Sequence, residues 1–146
     1  MSGKRRNHQP TKDESLKRNK IMNSNDKKIL IIDIETTGFL KEGGSIVEIA
    51  AVELNLDNGL MYVVFDSICR ESILNANHRN AWVFNNSDLT VEMVMEAPKF
   101  EEVSRMFQEV VMQYPFGSTS YNKIFDFTFL QDRGLKFPKI LPCPML

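Results

Sequence analysis

Ile29-Leu30-Ile31-Ile32-Asp33-Ile34-Glu35-Thr36-Thr37-Gly38-Phe39 is the stretch on which the reading of the whole chain turns. Four aliphatic residues in a row follow Lys27-Lys28 and run into the polar Thr36-Thr37-Gly38 turn, which predicts a buried β-strand over 29–34. Side chains alternate along a strand, so Asp33 and Glu35 project together while Ile32 and Ile34 go to the other side of the sheet. Two carboxylates leaving a buried strand side by side repel each other and resist losing their hydration. A hard divalent cation such as Mg²⁺, which takes oxygen ligands, answers both problems. Thr36 and Thr37 offer hydroxyls and backbone N–H groups, and Gly38 a permissive backbone, all useful beside a phosphate. Phe39 supplies a flat apolar surface on which a nucleobase could stack. Taken alone, an Asp-x-Glu at a strand end is ordinarily a solvated acidic pair.

Working outward, Ile46–Leu54 alternates well enough for a second strand, and Asp57-Asn58-Gly59 is a hairpin turn signal. Leu60–Ile68 is then a third strand, antiparallel to the second. The period changes after that. Asp88-Leu89-Thr90 leads into a short helical stretch over 90–96. Pro98 suits the first turn of a longer helix, and Glu101-Glu102 suit its positive N-terminal end. Phe100, Val103, Phe107, Val110 and Val111 recur at spacings of three and four, which marks one apolar helix face. Pro115 ends that helix, Phe116–Tyr121 is a candidate fourth strand, and Ile124–Arg133 is helical with Gly134 as its cap. Residues 137–146 carry three prolines and predict at most one short strand. The order β-β-β-α-β-α predicts an α/β fold: a mixed sheet, three antiparallel strands then α-β-α, with helices packed on it. Trp82 and Phe84, in the loop after the third strand, read as core or loop packing rather than base-stacking, and His78 as a surface-loop histidine rather than a polar contact near substrate.

The chain has 146 residues, 42% of them hydrophobic and 25% charged, the composition of one ordinary domain. Its aliphatic run Ile29–Ile32 is far short of the ~20 residues a membrane span needs, so no membrane partner is expected. Cys69 and Cys143 are too few for a disulfide scaffold or a zinc site and read as thiols of a reducing, cytoplasmic setting. The net charge of −1 conceals an asymmetry. Residues 1–28 hold nine Lys and Arg against three acids, and the remainder holds nine against sixteen. Residues 1–24 contain little to bury and are expected to be a disordered basic tail, with residues 25–146 as the folded part. The acidic body suits a cation-loaded site better than duplex DNA. The end on Met145-Leu146 reads as that of a domain cut short.

Asp33-Ile34-Glu35-Thr36-Thr37-Gly38 resembles the first motif of the DEDD-type 3′→5′ exonucleases, the superfamily of the epsilon proofreading subunit and RNase T. Ile46-Val47-Glu48-Ile49-Ala50-Ala51-Val52 resembles that family's second strand. Tyr121-Asn122-Lys123-Ile124-Phe125-Asp126, followed by Phe129-Leu130, resembles its second motif, with Tyr121 where the family often has His. Asp88–Val94 and Ala97-Pro98 resemble the segment leading into the long helix. The resemblance covers about residues 28–138.

The resemblance implies a ribonuclease H-like fold and removal of 3′-terminal nucleotides from single-stranded DNA or RNA with two Mg²⁺ or Mn²⁺ ions. It implies Asp33, Glu35 and Asp126 as catalytic carboxylates and metal ligands, with Thr36, Thr37, Gly38, Phe39 and Asn122 along the terminal nucleotide. A DNA polymerase or a homodimer is the candidate protein partner. The family's third motif, a His a few residues before a last catalytic Asp, has no counterpart here. His8 lies in the tail, His78 lies between the first two motifs, and Asp132 is the one carboxylate after Asp126. The expectation is therefore the N-terminal part of an exonuclease domain with impaired activity. The alternatives are an inactive nucleic-acid or nucleotide-binding module of the same fold and, more remotely, a sugar-nucleotide enzyme using its Asp-x-Glu.

Overall fold

A computed structural model describes residues 27–143; the expected basic tail, 1–24, lies outside the described residues. The aliphatic run becomes β1 (Lys28–Thr36), flanked in the sheet by β2 (Ile46–Asn55) and β4 (Ser118–Thr119), with β3 (Met61–Ile68) beyond β2. The strand order is β3-β2-β1-β4. β1–β2 and β2–β3 are antiparallel, as the predicted turns require, and β4 runs parallel to β1. This is the expected mixed sheet. The turn between β2 and β3 closes through Gly59, whose φ of 73° is costly for any residue with a Cβ. Asn55 N–H donates to the Leu60 carbonyl across it.

Alternation in β1 is as predicted: Leu30, Ile32 and Ile34 are buried and Asp33 is exposed. The buried side meets α3 (Phe100–Val111) and α4 (Lys123–Asp132) in the main core. Phe100, Val103, Phe107 and Val111 form the buried stripe of α3. Each such side chain contributes roughly 1.5–3 kcal/mol of gross burial energy. Gly134, at φ 89°, ends α4 as expected. The candidate fourth strand over 116–121 shrinks to two residues, pairing Leu30 with Ser118 and Ile31 with Thr119. The proline-rich end contributes one bridge, Ile140 to Ser118. No helix among the described residues is long and apolar enough to cross a membrane.

A smaller cluster of Val47, Val83, Leu89 and Val94 lies apart from the main core. Two short helices build it, α1 (Trp82–Asn86) and α2 (Val91–Met95). Thr90 caps α2, its Oγ1 accepting from Met93 N–H at 3.2 Å. α1 stands where the sequence predicts a loop. Five residues are too few to show a helical period, and one of them, Val83, is buried. A bulge between Glu35 and Thr36 pairs Thr36 with Ile46. The extra residue is Val47 of β2, which joins the small cluster while the adjacent Ile46 joins the main core.

Candidate active site

Asp33 and Glu35 emerge from β1 on the side opposite Ile32 and Ile34. Asp126 reaches them from the first turn of α4, and the sheet shows why. Along β1, N–H groups of the even-numbered residues point toward β4; that of Leu30 donates to the Gly117 carbonyl. β4 stops at Thr119, so Ile34 N–H has no strand partner there. Asp126 takes its place: Oδ1 accepts from Ile34 N–H at 3.0 Å, and Oδ2 accepts from the Ser120 hydroxyl at 3.1 Å. Asp126 is thus a buried carboxylate, 5% exposed, pinned beside the residue that separates Asp33 from Glu35.

The three acids sense one another. Partial withdrawal from water raises the pKa of Asp33. Glu35 is raised by burial and then by the charges of Asp33 and Asp126. Burial raises Asp126 more than its hydrogen bonds lower it, and the Asp33 charge adds to the rise. No ion pair among the described residues reaches any of the three. Nor, among the described residues, do three His, Cys, Asp or Glu side chains converge tightly enough to hold an ion as they stand. The three acids are neighbours without a common focus. Their donor set fits a hard divalent cation: carboxylate oxygens alone, unneutralised, two of them on side chains not held by a hydrogen bond.

The turn after β1 is held from within. Thr36 Oγ1 donates to the Gly38 carbonyl at 2.8 Å. Thr37 Oγ1 accepts from Ser45 N–H, and Thr37 N–H donates to the Ser45 carbonyl, both at 2.8 Å. The Thr37 hydroxyl proton remains available to a ligand. The permissive backbone expected of Gly38 is found instead at Gly43, with φ 74°. A Cβ on Gly44 would come within 2.3 Å of the Gly38 carbonyl oxygen, so close packing of the two loop arms demands glycine at 44. Behind this loop, Arg133 at the end of α4 donates to Glu71 through Nε at 2.6 Å and to the Gly44 carbonyl at 3.1 Å. Glu71 is itself buried and accepts from Ile46 N–H at 2.7 Å.

Phe39 is 63% exposed and meets Phe125 edge-on, with ring centroids 6.1 Å apart. Between Glu35, the turn and α1 lies a recess of about 320 Å³, lined in part by Thr37, Phe39, Trp82 and Phe125. Trp82, expected to pack in the core or its loop, is 72% exposed on the wall of this recess. Phe84 does pack, against the small cluster. Asn122 is exposed just before α4, and its carbonyl accepts from Asp126 N–H at 3.2 Å. Tyr121 is exposed beside it. The His78 ring accepts from Asn75 N–H and closes a tight turn over Ala76–Asn80.

Two further acids share this face and were not singled out from the sequence. Glu48 stands opposite Glu35 in the β1–β2 register, and Asp66 opposite Ala50, which itself faces Asp33. Glu48 is pushed up to about 7 by burial first, then by the charge and hydrogen bond of Asp66 and by Glu35 and Asp33. The Asp57-Asn58-Gly59 turn alone does not reveal this pairing, because a bulge between Ala51 and Val52 shifts the β2–β3 register and brings Asp66 opposite Ala50.

Comparison with known proteins agrees with the fold. The exonuclease family (RNase_T) matches residues 30–142. A DNA polymerase III of the PolC type from Staphylococcus aureus is 31% identical over 106 residues, 72% of this chain and 7% of its own length. The nuclease domain of 3′hExo, a DEDDh family member solved bound to rAMP, superposes with a TM-score of 0.60 at 20% identity, covering 77% of this chain and 62% of that one. A full-length 3′-exonuclease gives 0.52 at 20% identity, covering 65% and 34%. The chain therefore spans a small fraction of its curated relative and part of each solved neighbour. With its ribonuclease H-like mixed sheet and its match along most of the described residues, the chain belongs to the exonuclease (RNase_T) family.

Proposed function

We propose that this chain carries the cation- and nucleotide-binding part of a 3′→5′ exonuclease acting on single-stranded DNA or RNA. Asp33, Glu35 and Asp126 are the proposed ligands for two Mg²⁺ or Mn²⁺ ions. The observation that carries the reading is the hydrogen bond from Ile34 N–H to Asp126. It ties an acid from the far end of the described chain to the residue between the two acids of β1. In this reading Asp126 is the fixed member, and Asp33 and Glu35 turn toward it when a cation offsets their repulsion. When bound, the ions supply polarisation of the phosphodiester and neutralisation of its developing charge. The chain's own groups orient the strand end: the Thr37 hydroxyl and the Thr36–Gly38 turn beside the phosphate, the Phe39 ring against the base, and the Asn122 amide on the far side.

A second reading, a binding module without turnover, is favoured by one observation. His78 closes a surface turn, and no His followed by Asp lies beyond Asp126 in this sequence. Lack of a general base typically costs on the order of 10²–10⁴ in rate. The proposal is thus of an impaired enzyme when residues 25–146 act alone. The test is digestion of 3′- and 5′-labelled single strands with Mg²⁺, alongside binding of the same strands. Slow loss of 3′-terminal nucleotides that Asp33→Ala abolishes supports the nuclease. Cation-dependent binding without cleavage supports the module. Neither cleavage nor cation-dependent binding would overturn both.

A further inference from the structure

α4 meets the loop between β1 and β2 at both of its ends. In its first turn Asp126 holds Ile34, just before the loop leaves β1. Just past its last residue, Arg133 Nη2 donates to the Gly44 carbonyl at 3.1 Å, where the loop returns. The helix between these ties is a stiff span of about 10 Å. Glu71 completes the second tie. It accepts from Arg133 Nε at 2.6 Å and Nη2 at 3.1 Å, and its Oε2 also accepts from Ile46 N–H at 2.7 Å. Phe129 of α4 lies under the guanidinium, with its ring centroid 5.6 Å away. A buried pair of this kind is a weak source of net stability, but a two-point guanidinium–carboxylate contact fixes direction as well as distance. What it fixes here is the returning arm of the loop. That arm is bonded to the outgoing one: Gly44 N–H donates to the Phe39 carbonyl at 3.0 Å, and Ser45 exchanges two hydrogen bonds with Thr37. A shift at Gly44 or Ile46 is therefore passed to Thr37, while Asp126 keeps its own ties to Ile34 and Ser120.

We infer that Arg133 and Glu71 are positioning residues for the strand end: through Gly44 and Ile46 they keep the Thr37 hydroxyl where it can donate to the phosphodiester held at Asp33 and Glu35. This role presupposes the exonuclease reading above and extends it to a pair that touches neither cation nor substrate. The test uses the full chain and two readouts. One is binding of Mn²⁺ alone, from the spin resonance of the free ion. The other is the anisotropy of 5′-labelled tetrathymidylate and tetrauridylate at saturating Mn²⁺. Glu71→Met/Arg133→Met removes both charges together. Its Mn²⁺ affinity should stay within about twofold of the parent. Its strand affinity should fall roughly 10- to 150-fold, the worth of a hydrogen bond to a charged group. Thr37→Val should cost as much in the parent and almost nothing more in the double variant, because the hydroxyl is already displaced, whereas a general loosening would make the two losses add. Gly44→Ala leaves the pair intact but drives a Cβ into the Gly38 carbonyl and parts the two arms. It should give the same split between ion and strand, and the same cycle run on it decides the matter if the double variant unfolds. Unchanged strand affinity, losses that add with Thr37→Val, or Mn²⁺ affinity lost along with strand affinity overturns the positioning role and leaves the exonuclease reading standing. No Mn²⁺-dependent binding of either strand by the parent overturns the exonuclease reading, and this inference with it.

Discussion

Replacing Asp126 by Asn and by Ala separates what this carboxylate does for the fold from what it does for a cation. Asp126→Ala leaves Ile34 N–H and the Ser120 hydroxyl without their acceptor in a buried place. Each orphaned group costs about 1–3 kcal/mol. Part of that is returned, because the raised pKa of Asp126 shows that the fold disfavours its charge. A net loss of about 2–4 kcal/mol is expected on that arithmetic. Asp126→Asn keeps an oxygen for Ile34 N–H, turns its NH₂ toward Ser120 Oγ and removes the repulsion from Asp33. It should lie within about 1 kcal/mol of the parent, the usual worth of one neutral hydrogen bond. Urea unfolding in EDTA measures both. Repeating it in Mg²⁺ measures linkage: the parent should gain about 2.7 kcal/mol at a hundred times the dissociation constant, and Asp126→Asn should lose most of that gain. Equal destabilisation by Asn and Ala in EDTA would refute the hydrogen-bond argument. A full Mg²⁺ gain in Asp126→Asn would refute the cation argument.

Two other outcomes follow from neighbouring groups. Arg133→Met strands the buried Glu71 carboxylate and should cost about 3–5 kcal/mol in urea unfolding. The double change Glu71→Met/Arg133→Met should recover much of this, and a loss under 1 kcal/mol in the single variant would show that the pair is not a structural tie. For pH, the folded chain holds the Glu48 proton up to about 7, whereas the unfolded chain releases it near its ordinary 4.5. The folded state binds more protons in that window, so this contribution is complete below 4.5 and disappears as pH rises through 7. The melting temperature without divalent ions should therefore fall between pH 5 and pH 8. Glu48→Gln should flatten the fall, with Glu35 and Asp33 supplying what remains, and an unaltered slope would rule Glu48 out as its source.

The features legible in the sequence are those that depend on near neighbours. The two-residue period puts Asp33 and Glu35 on one side of β1 whatever lies elsewhere, and the spacing from Phe100 to Val111 marks the buried stripe of α3 before any partner is known. The Asp57-Asn58-Gly59 turn marks its hairpin. The position of Asp126 beside Ile34 depends on β4 ending at Thr119, a fact about a strand only two residues long. Glu48 and Asp66 became visible only through strand register. Trp82 was misread because hydrophobicity alone predicts burial, and the five residues of α1 bury Val83 instead. The close approach at Gly44 was not legible either: two loop arms meet there, and the sequence around Gly38 holds no trace of the contact.

The Ile34–Asp126 hydrogen bond also orders events in time. It joins positions 92 apart, whereas β1, β2 and β3 are linked by short reversals that can zip early. Long-range and parallel pairings are the slow part of folding. On a ribosome adding about 5–20 residues per second, Asp33 and Glu35 wait roughly 5–20 s for α4 to be made. Until then the meander presents two acids and an unfilled strand edge. Whatever chemistry the three acids share therefore begins late in folding, and a chain interrupted before Asp126 carries the first motif without its consequence.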